Sequence, residues 1–326
     1  MGGAWRHRRR GRHRRRVLTI PRGSRHAAVR APGGRFRIRI IPHIGTIDSF
    51  PIVVAGTLEV AMKNILLLVH DDSGQEARLQ AALDITRALE GHLSCVDVSV
   101  LPILVGDYYG GAEAEAILFA DECERETKNK AALEARLVHE DVAWDWCDST
   151  GSIERCLQDK AALADLVVLN RKLEVGSPDM HDIVSNLVMH ARAPILAVPE
   201  TLKRMTLDRA LIAWDGRGSV AATVRACLPL LKLAKDVEIF MARRGGDGVE
   251  PTEAAEYLSR HDVHATVRIV DETHTAPDEL IRDEATRWRA DYVLMGAYGH
   301  GRLRETFGGV TKRMLSQSTF PLILGH

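Results

Sequence analysis

Two tandem doubly wound α/β domains, each built on a five-stranded parallel sheet, are the fold that the sequence predicts from Met62 onward. Short β-rich apolar runs alternate with longer helical stretches, which is the pattern of βαβ units around a parallel sheet. The same succession of elements then occurs a second time. Corresponding pieces also recur at a nearly constant spacing. Ala164-Asp165-Leu166-Val167-Val168-Leu169 matches Ala290-Asp291-Tyr292-Val293-Leu294-Met295 at an offset of 126 residues. Ala193-Pro194-Ile195-Leu196 matches Thr319-Phe320-Pro321-Leu322-Ile323 near 127. An internal repeat explains this better than coincidence. The predicted domains are 62–200 and 208–326, preceded by a basic segment at 1–61.

In the first copy, Ile65 to Val69 is a continuous apolar run of the kind a strand buried on both faces needs. Asp71-Asp72-Ser73 supplies acceptors to cap a helix from Gln75 to Glu90, which Gly91 closes. Leu93 to Val98 is the second strand. Ala112 to Glu140 is a long helix rich in Ala, Glu and Lys, and Val142, Trp144 and Trp146 alternate along the third strand. A helix from Ile153 to Ala164, the strand Leu166 to Leu169, a helix from Asp182 to His190 and the strand Pro194 to Val198 complete the copy. Trp144 and Trp146 read as core or interface packing rather than a stacking platform.

The linker Glu200 to Asp208 leads to the second copy. Its elements are the strand Ala210 to Trp214, a helix from Val220 to Leu233, the strand Val237 to Met241 and a helix from Thr252 to His261. There follow the strand Ala265 to Val270, a helix from Asp278 to Arg289, the strand Tyr292 to Met295, a helix from Thr311 and the strand Pro321 to Leu324. In such sheets ligands bind beyond the carboxyl ends of the strands.

Composition narrows the function classes. With 45% hydrophobic and 27% charged residues the chain can bury sizeable cores. Residues 1–61 carry fourteen arginines and no lysine against only Asp48 and Glu59, so the zero net charge of the whole leaves the remainder acidic. An acidic folded part without a basic stripe argues against nucleic acid as its partner. The basic head suits RNA or a presequence by charge alone. It has no aromatic interleaving, and its apolar stretch Val17 to Ile20 is too short for a signal core. It reads as a disordered tail, or as lying upstream of a true start at Met62. Five cysteines without a CxxC pair fit reduced thiols in a cytoplasmic protein. The apolar neighbourhood Phe50 to Val69 is broken by Glu59, Lys63 and Asn64, so no membrane span is expected.

The chemistry-bearing segment follows Met295. Gly296-Ala297-Tyr298-Gly299-His300-Gly301-Arg302 and the following residues to Gly309 hold five glycines in fourteen residues and lead into a helix. Glycines let backbone N–H groups approach an anion closely, and a helix N-terminus adds free donors. A phosphate would be stabilised there, against the competing reading of a mobile surface loop. The segment is neither a Walker loop nor a dinucleotide fingerprint.

Gly296-x-x-Gly299-x9-Gly309, the strand ending Leu211-Ile212-Ala213-Trp214-Asp215-Gly216 and the terminal Pro321-Leu322-Ile323-Leu324 together resemble the universal stress protein (UspA) family in its tandem form. The likeness spans residues 62–326, is strong in the second copy and is architectural in the first. It implies an adenine nucleotide alpha hydrolase-like fold and an adenine nucleotide, usually ATP, with Mg²⁺ able to accompany it. By position Asp215 would contact the nucleoside, Gly296 and Gly299 would allow close approach, and Gly309 with Thr311 would meet the phosphates. The family places Ser or Thr directly after the last glycine, where this chain has Val310. Competing readings make Asp215 an N-cap or turn residue and Thr311 a helix-start hydroxyl. Lys312 and Arg313 read as solvated, and His300 and Arg302 as loop polarity or phosphate contacts in equal measure.

The first copy has Asn170-Arg171-Lys172-Leu173-Glu174-Val175-Gly176 where the glycine loop would be, and His70 or Asp71 aligns with Asp215. It is expected to bind no nucleotide and to pair with the second copy. The resemblance puts Pro194 to Val198 against Pro321 to Leu324 as an internal pseudo-dimer, leaving room for a further homodimer. That pairing would also cover two apolar edge strands. No HxxxH, HExxH or Gly-x-Ser-x-Gly occurs, so no metal ligands and no catalytic residues are expected, and the fourteen histidines read as scattered and solvent-facing. The leading expectation is a cytoplasmic stress-response regulator holding ATP in its second copy. A nucleotide-independent interaction protein of the same fold competes with it, and slow ATP hydrolysis would need a base that the sequence does not identify.

Overall fold

The computed structural model describes residues 61–100, 111–171, 180–191, 193–243, 248–271, 274–297 and 309–326. The readings of residues 1–60 and of Gly299, His300 and Arg302 fall outside them.

Alternating burial builds the first strand. Ile65, Leu67 and Val69 of β1 (Asn64–Val69) enter one apolar layer, while Leu66 and Leu68 enter the other, so both faces of the strand are covered. The chain continues through α1 (Gln75–Ala88), β2 (His92–Val100), α2 (Gly111–Leu137), β3 (Ala143–Gly151), α3 (Ile153–Lys160) and a 3-10 turn at Ala161–Leu163. Then come β4 (Leu166–Asn170), α4 (Met180–His190) and β5 (Ile195–Val198). The second half repeats the order with β6 (Arg209–Ala213), α5 (Gly218–Ala226), α6 (Leu228–Leu231), β7 (Asp236–Ala242), α7 (Pro251–Ser259) and β8 (Ala265–Val270). It closes with α8 (Pro277–Trp288), β9 (Tyr292–Gly296), α9 (Gly309–Gln317) and β10 (Leu322–Gly325).

The ten strands form one sheet in the order β3-β2-β1-β4-β5-β10-β9-β6-β7-β8. Each half therefore has the same internal order, and the two expected five-stranded sheets are fused. Every neighbouring pair is parallel except β5 and β10, which run antiparallel with Leu322, Ile323 and Leu324 opposite Ala197, Leu196 and Ile195. One apolar layer, packed by α1, α2, α5 and α7, and another, packed by α3, α4, α8 and α9, each run across both halves. Trp144 and Trp146 pack against the first layer, and Lys130 lies over the Trp146 ring at 5.5 Å.

Local departures from expectation have physical causes. The helix expected over Val220 to Leu233 breaks at Cys227, because Pro229 has no N–H to continue the ladder. The first helix ends through Glu90, whose φ of 49° takes the left-handed conformation expected of Gly91. Gly91 answers another need: a Cβ there would lie 2.7 Å from the Lys63 carbonyl oxygen. Asp72 does not cap α1 itself. Its Oδ1 instead accepts the Gly74 N–H one residue earlier at 2.7 Å.

Candidate functional site

In each half the strand order reverses between the first and fourth strands, which opens a crevice at their carboxyl ends. In the second half β6 pairs with β9, Ala213 opposite Met295, so Asp215 and Gly296 leave the ends of adjacent strands. The Asp215-Gly216 turn is held from beneath. Buried Trp214 donates its indole N–H to the Val249 carbonyl at 2.8 Å, and Gly216, at φ 75°, packs with no room for a side chain against Gly248 and Val249. Asp215 stays exposed. One oxygen accepts the Arg217 N–H at 3.0 Å, and the other lies 3.7 Å from the Arg217 Nε. The carboxylate thus closes its own turn while facing solvent at the crevice mouth.

Gly296 is explained first by packing. A Cβ there would lie 2.5 Å from Ser219 Oγ and 2.6 Å from the Val220 backbone nitrogen, so β9 reaches the first turn of α5 only with glycine at its end. Ser219 Oγ is itself buried without a hydrogen-bond partner beside that glycine. Gly309 starts α9, and a Cβ there would meet only the flexible end of Arg313. Val310 packs against the apolar layer that contains Met295 and Ala297, and Thr311 is buried. Arg313 is engaged elsewhere, donating its Nε–H to the buried Asp278 at 2.7 Å. The crevice therefore brings together Asp215, Gly296 and Ser219, with the start of α9 in the next crossover. Sequence reasoning missed Ser219, whose only signal was its position four residues after the strand-end aspartate.

The equivalent crevice of the first half is bridged by a side chain. Arg78, fully buried on α1, donates to the Leu68 carbonyl at 2.8 Å, to the His70 carbonyl at 2.5 Å, to Asp72 Oδ1 at 2.7 Å and to Asn170 Oδ1. The arginine ties the end of β1 to the end of β4, and the partners around it satisfy a charge that burial would otherwise make costly. The close approach of strand end to helix start is also inverted between the halves. Gly74 on the helix side makes room for Asn170 on the strand side, whereas Ser219 on the helix side meets Gly296 on the strand side. One small partner suffices in either position.

No family model matches the sequence. Universal stress protein Slr1230 of Synechocystis sp. is 23% identical to the chain over 182 residues, which make up 53% of this chain. The match spans 62% of that relative's own length. Among solved structures, a universal stress protein from Archaeoglobus fulgidus superposes with a TM-score of 0.62 at 13% identity, over 82% of this chain and 98% of the other. A functionally unknown protein from Pseudomonas aeruginosa PAO1 superposes with a TM-score of 0.51 at 15% identity, over 81% and 92%. The two structures share the fold, a mostly parallel sheet with helices on both faces. The chain is thus similar to a universal stress protein in sequence over half of its length, and it shares the fold of these solved structures over most of it.

Proposed function

We propose that the chain is a stress-response regulatory protein that holds an adenine nucleotide, ATP, in the crevice between β6 and β9. The carrying observation is the convergence there of an exposed carboxylate, Asp215, and a buried hydroxyl without a partner, Ser219, with a nine-residue helix starting nearby. The residues fit the ligand's chemistry. A carboxylate accepts from ribose hydroxyls, Gly296 keeps the strand end low, and the free first-turn amides of α9 at Gly309, Val310 and Thr311 suit phosphate oxygens. Mg²⁺ would enter with the phosphates rather than through a dedicated protein site. No helix among the described residues is long and apolar enough to cross a membrane.

A second reading is favoured by Val310. Its side chain lies against the apolar layer where a hydroxyl would serve phosphate, and Thr311 beside it is buried. On that reading the protein works through partner binding without nucleotide. Equilibrium dialysis of the full chain with labelled ATP decides between them. Saturable binding, weakened at least about tenfold by Asp215→Ala, is expected from the loss of a charged hydrogen-bond acceptor. No binding at millimolar ATP would leave the interaction reading.

A further inference from the structure

A second polar centre lies at the opposite end of the architecture, beyond the carboxyl end of β1. His70, which was expected to face solvent with the other histidines, is 6% exposed. Its Nδ1 lies 2.7 Å from Glu126 Oε1 and 3.8 Å from Glu122 Oε1. The contact is close but poorly aligned for a hydrogen bond, so neither His70 Nδ1 nor Glu122 Oε1 has a hydrogen-bond partner. Glu122 and Glu126 are four residues apart on α2, which puts both carboxylates on one face of the helix, toward His70 and Asp71 beyond β1.

We propose that His70, Glu122 and Glu126 form a binding site for one divalent transition-metal ion of the Zn²⁺ class. Their three ligand atoms lie within 4.8 Å of one another, and no other such group occurs among the described residues. Ligand atoms about 2.0–2.2 Å from a tetrahedral zinc are roughly 3.3 Å apart, so small side-chain rotations close the set and leave a coordination position for water. One imidazole with two carboxylates is a donor set for zinc and its first-row neighbours rather than for calcium, which wants six or more oxygens.

The supporting shell is already in place. Glu126 Oε1 accepts the Asp71 N–H at 3.1 Å, and its Oε2 accepts from Asn129 at 3.1 Å. Asn129 is fixed in turn by two hydrogen bonds with Gln75, at 2.6 and 2.9 Å. Such outer bonds orient a ligating carboxylate before the ion arrives. The buried cation beside the site, Arg78, is already held by the His70 carbonyl, Asp72 and Asn170. Asp97 is buried with one oxygen unpartnered, and burial, then the charge of Glu126, push its carboxyl up to about 7. The half-exposed Arg125 reaches Glu122 at 2.5 Å and Glu126 at 3.7 Å from the rim and is the cation that a metal would displace.

Zinc titration of the metal-free full chain by calorimetry tests this. Cys123, next to Glu122, with Cys147 and Cys156, is first replaced by serine to remove the partly exposed thiols. One equivalent should bind, and both His70→Gln and Glu122→Gln should lower its affinity by more than about tenfold, the scale on which even outer-shell losses register. Glu122 is near the rim, so its variant keeps the fold if His70→Gln does not, and thermal unfolding without zinc verifies each. X-ray absorption should find only nitrogen and oxygen neighbours around the zinc. Absence of saturable binding in the serine-substituted chain, or binding indifferent to both variants, would overturn the assignment.

Discussion

At the scale of single residues, two glycines of the glycine-rich segment do unlike work. The Gly296 Cα stands against the first turn of α5, so Gly296→Ala forces a methyl to within 2.6 Å of a backbone nitrogen that cannot move without shifting the helix. We expect a loss of about 1–3 kcal/mol in urea unfolding without nucleotide. Among the described residues Gly309→Ala meets only one nitrogen of the Arg313 guanidinium, at 3.0 Å, and should stay within about 1 kcal/mol of the parent. Equal effects from the two would show that the strand end has slack. The spacing of these glycines was legible in the sequence, but the reason for the first was not. It depends on Ser219, distant in the chain and close only once β9 lies beside β6. Arg78 was hidden in the same way: an arginine in a helical run reads as solvated until the ends of β1 and β4 are seen to close round it.

Between elements, the electrostatics of the second half centre on a carboxyl pair joining β7 to α8. Burial, then the hydrogen bond and charge of Glu284, push Glu238 up to about 7. Burial works against Glu284 too, yet the Arg287 hydrogen bond, with Glu238 and with Arg268 at 2.9 Å, holds it below the usual carboxylate range. Glu238 is thus the member of the pair that keeps its proton, and Glu284 faces two arginines. In the unfolded chain Glu238 releases its proton near 4.5, while in the folded protein it keeps it to about 7. Across that window the folded state binds more protons, so this residue's contribution to stability is present at low pH and is lost as pH rises. Glu284 contributes in the opposite sense, losing its share as pH falls below its ordinary range. Urea midpoints measured from pH 4.5 to 7.5 should decline more steeply for the parent than for Glu238→Gln. Parallel curves would refute the raised Glu238 carboxyl. Element identity was widely readable here, because β-branched and apolar runs such as Ile65 to Val69 admit one interpretation when helices flank them. Ends were less so. Pro229 interrupts a stretch whose apolar period looks continuous, and Glu90 takes the left-handed turn that composition would assign to Gly91.

For the molecule as a whole, the two halves meet through β5 and β10, four residues each, and through apolar layers that run under both. Ile323 sits opposite Leu196 with no exposed surface on either. A charge placed there by Ile323→Asp has no partner and should cost about 3–5 kcal/mol. The expected calorimetric outcome is one endotherm for the parent and two for the variant, as each half retains its own strands and helices. A single lowered endotherm would mean that neither half stands alone. The repeat announced two copies of one unit, and an uncovered apolar edge strand is a reason for them to meet. The continuous two-sided core that joins them rests on side chains from far-apart helices, which no local pattern relates.

The antiparallel join has one more result. Strands of the first half run one way along the sheet and those of the second run the other. The Arg78 bridge with its histidine neighbour and the Asp215 turn therefore look out from opposite rims of the same slab. A molecule seated on one rim would therefore not compete for space with one on the other.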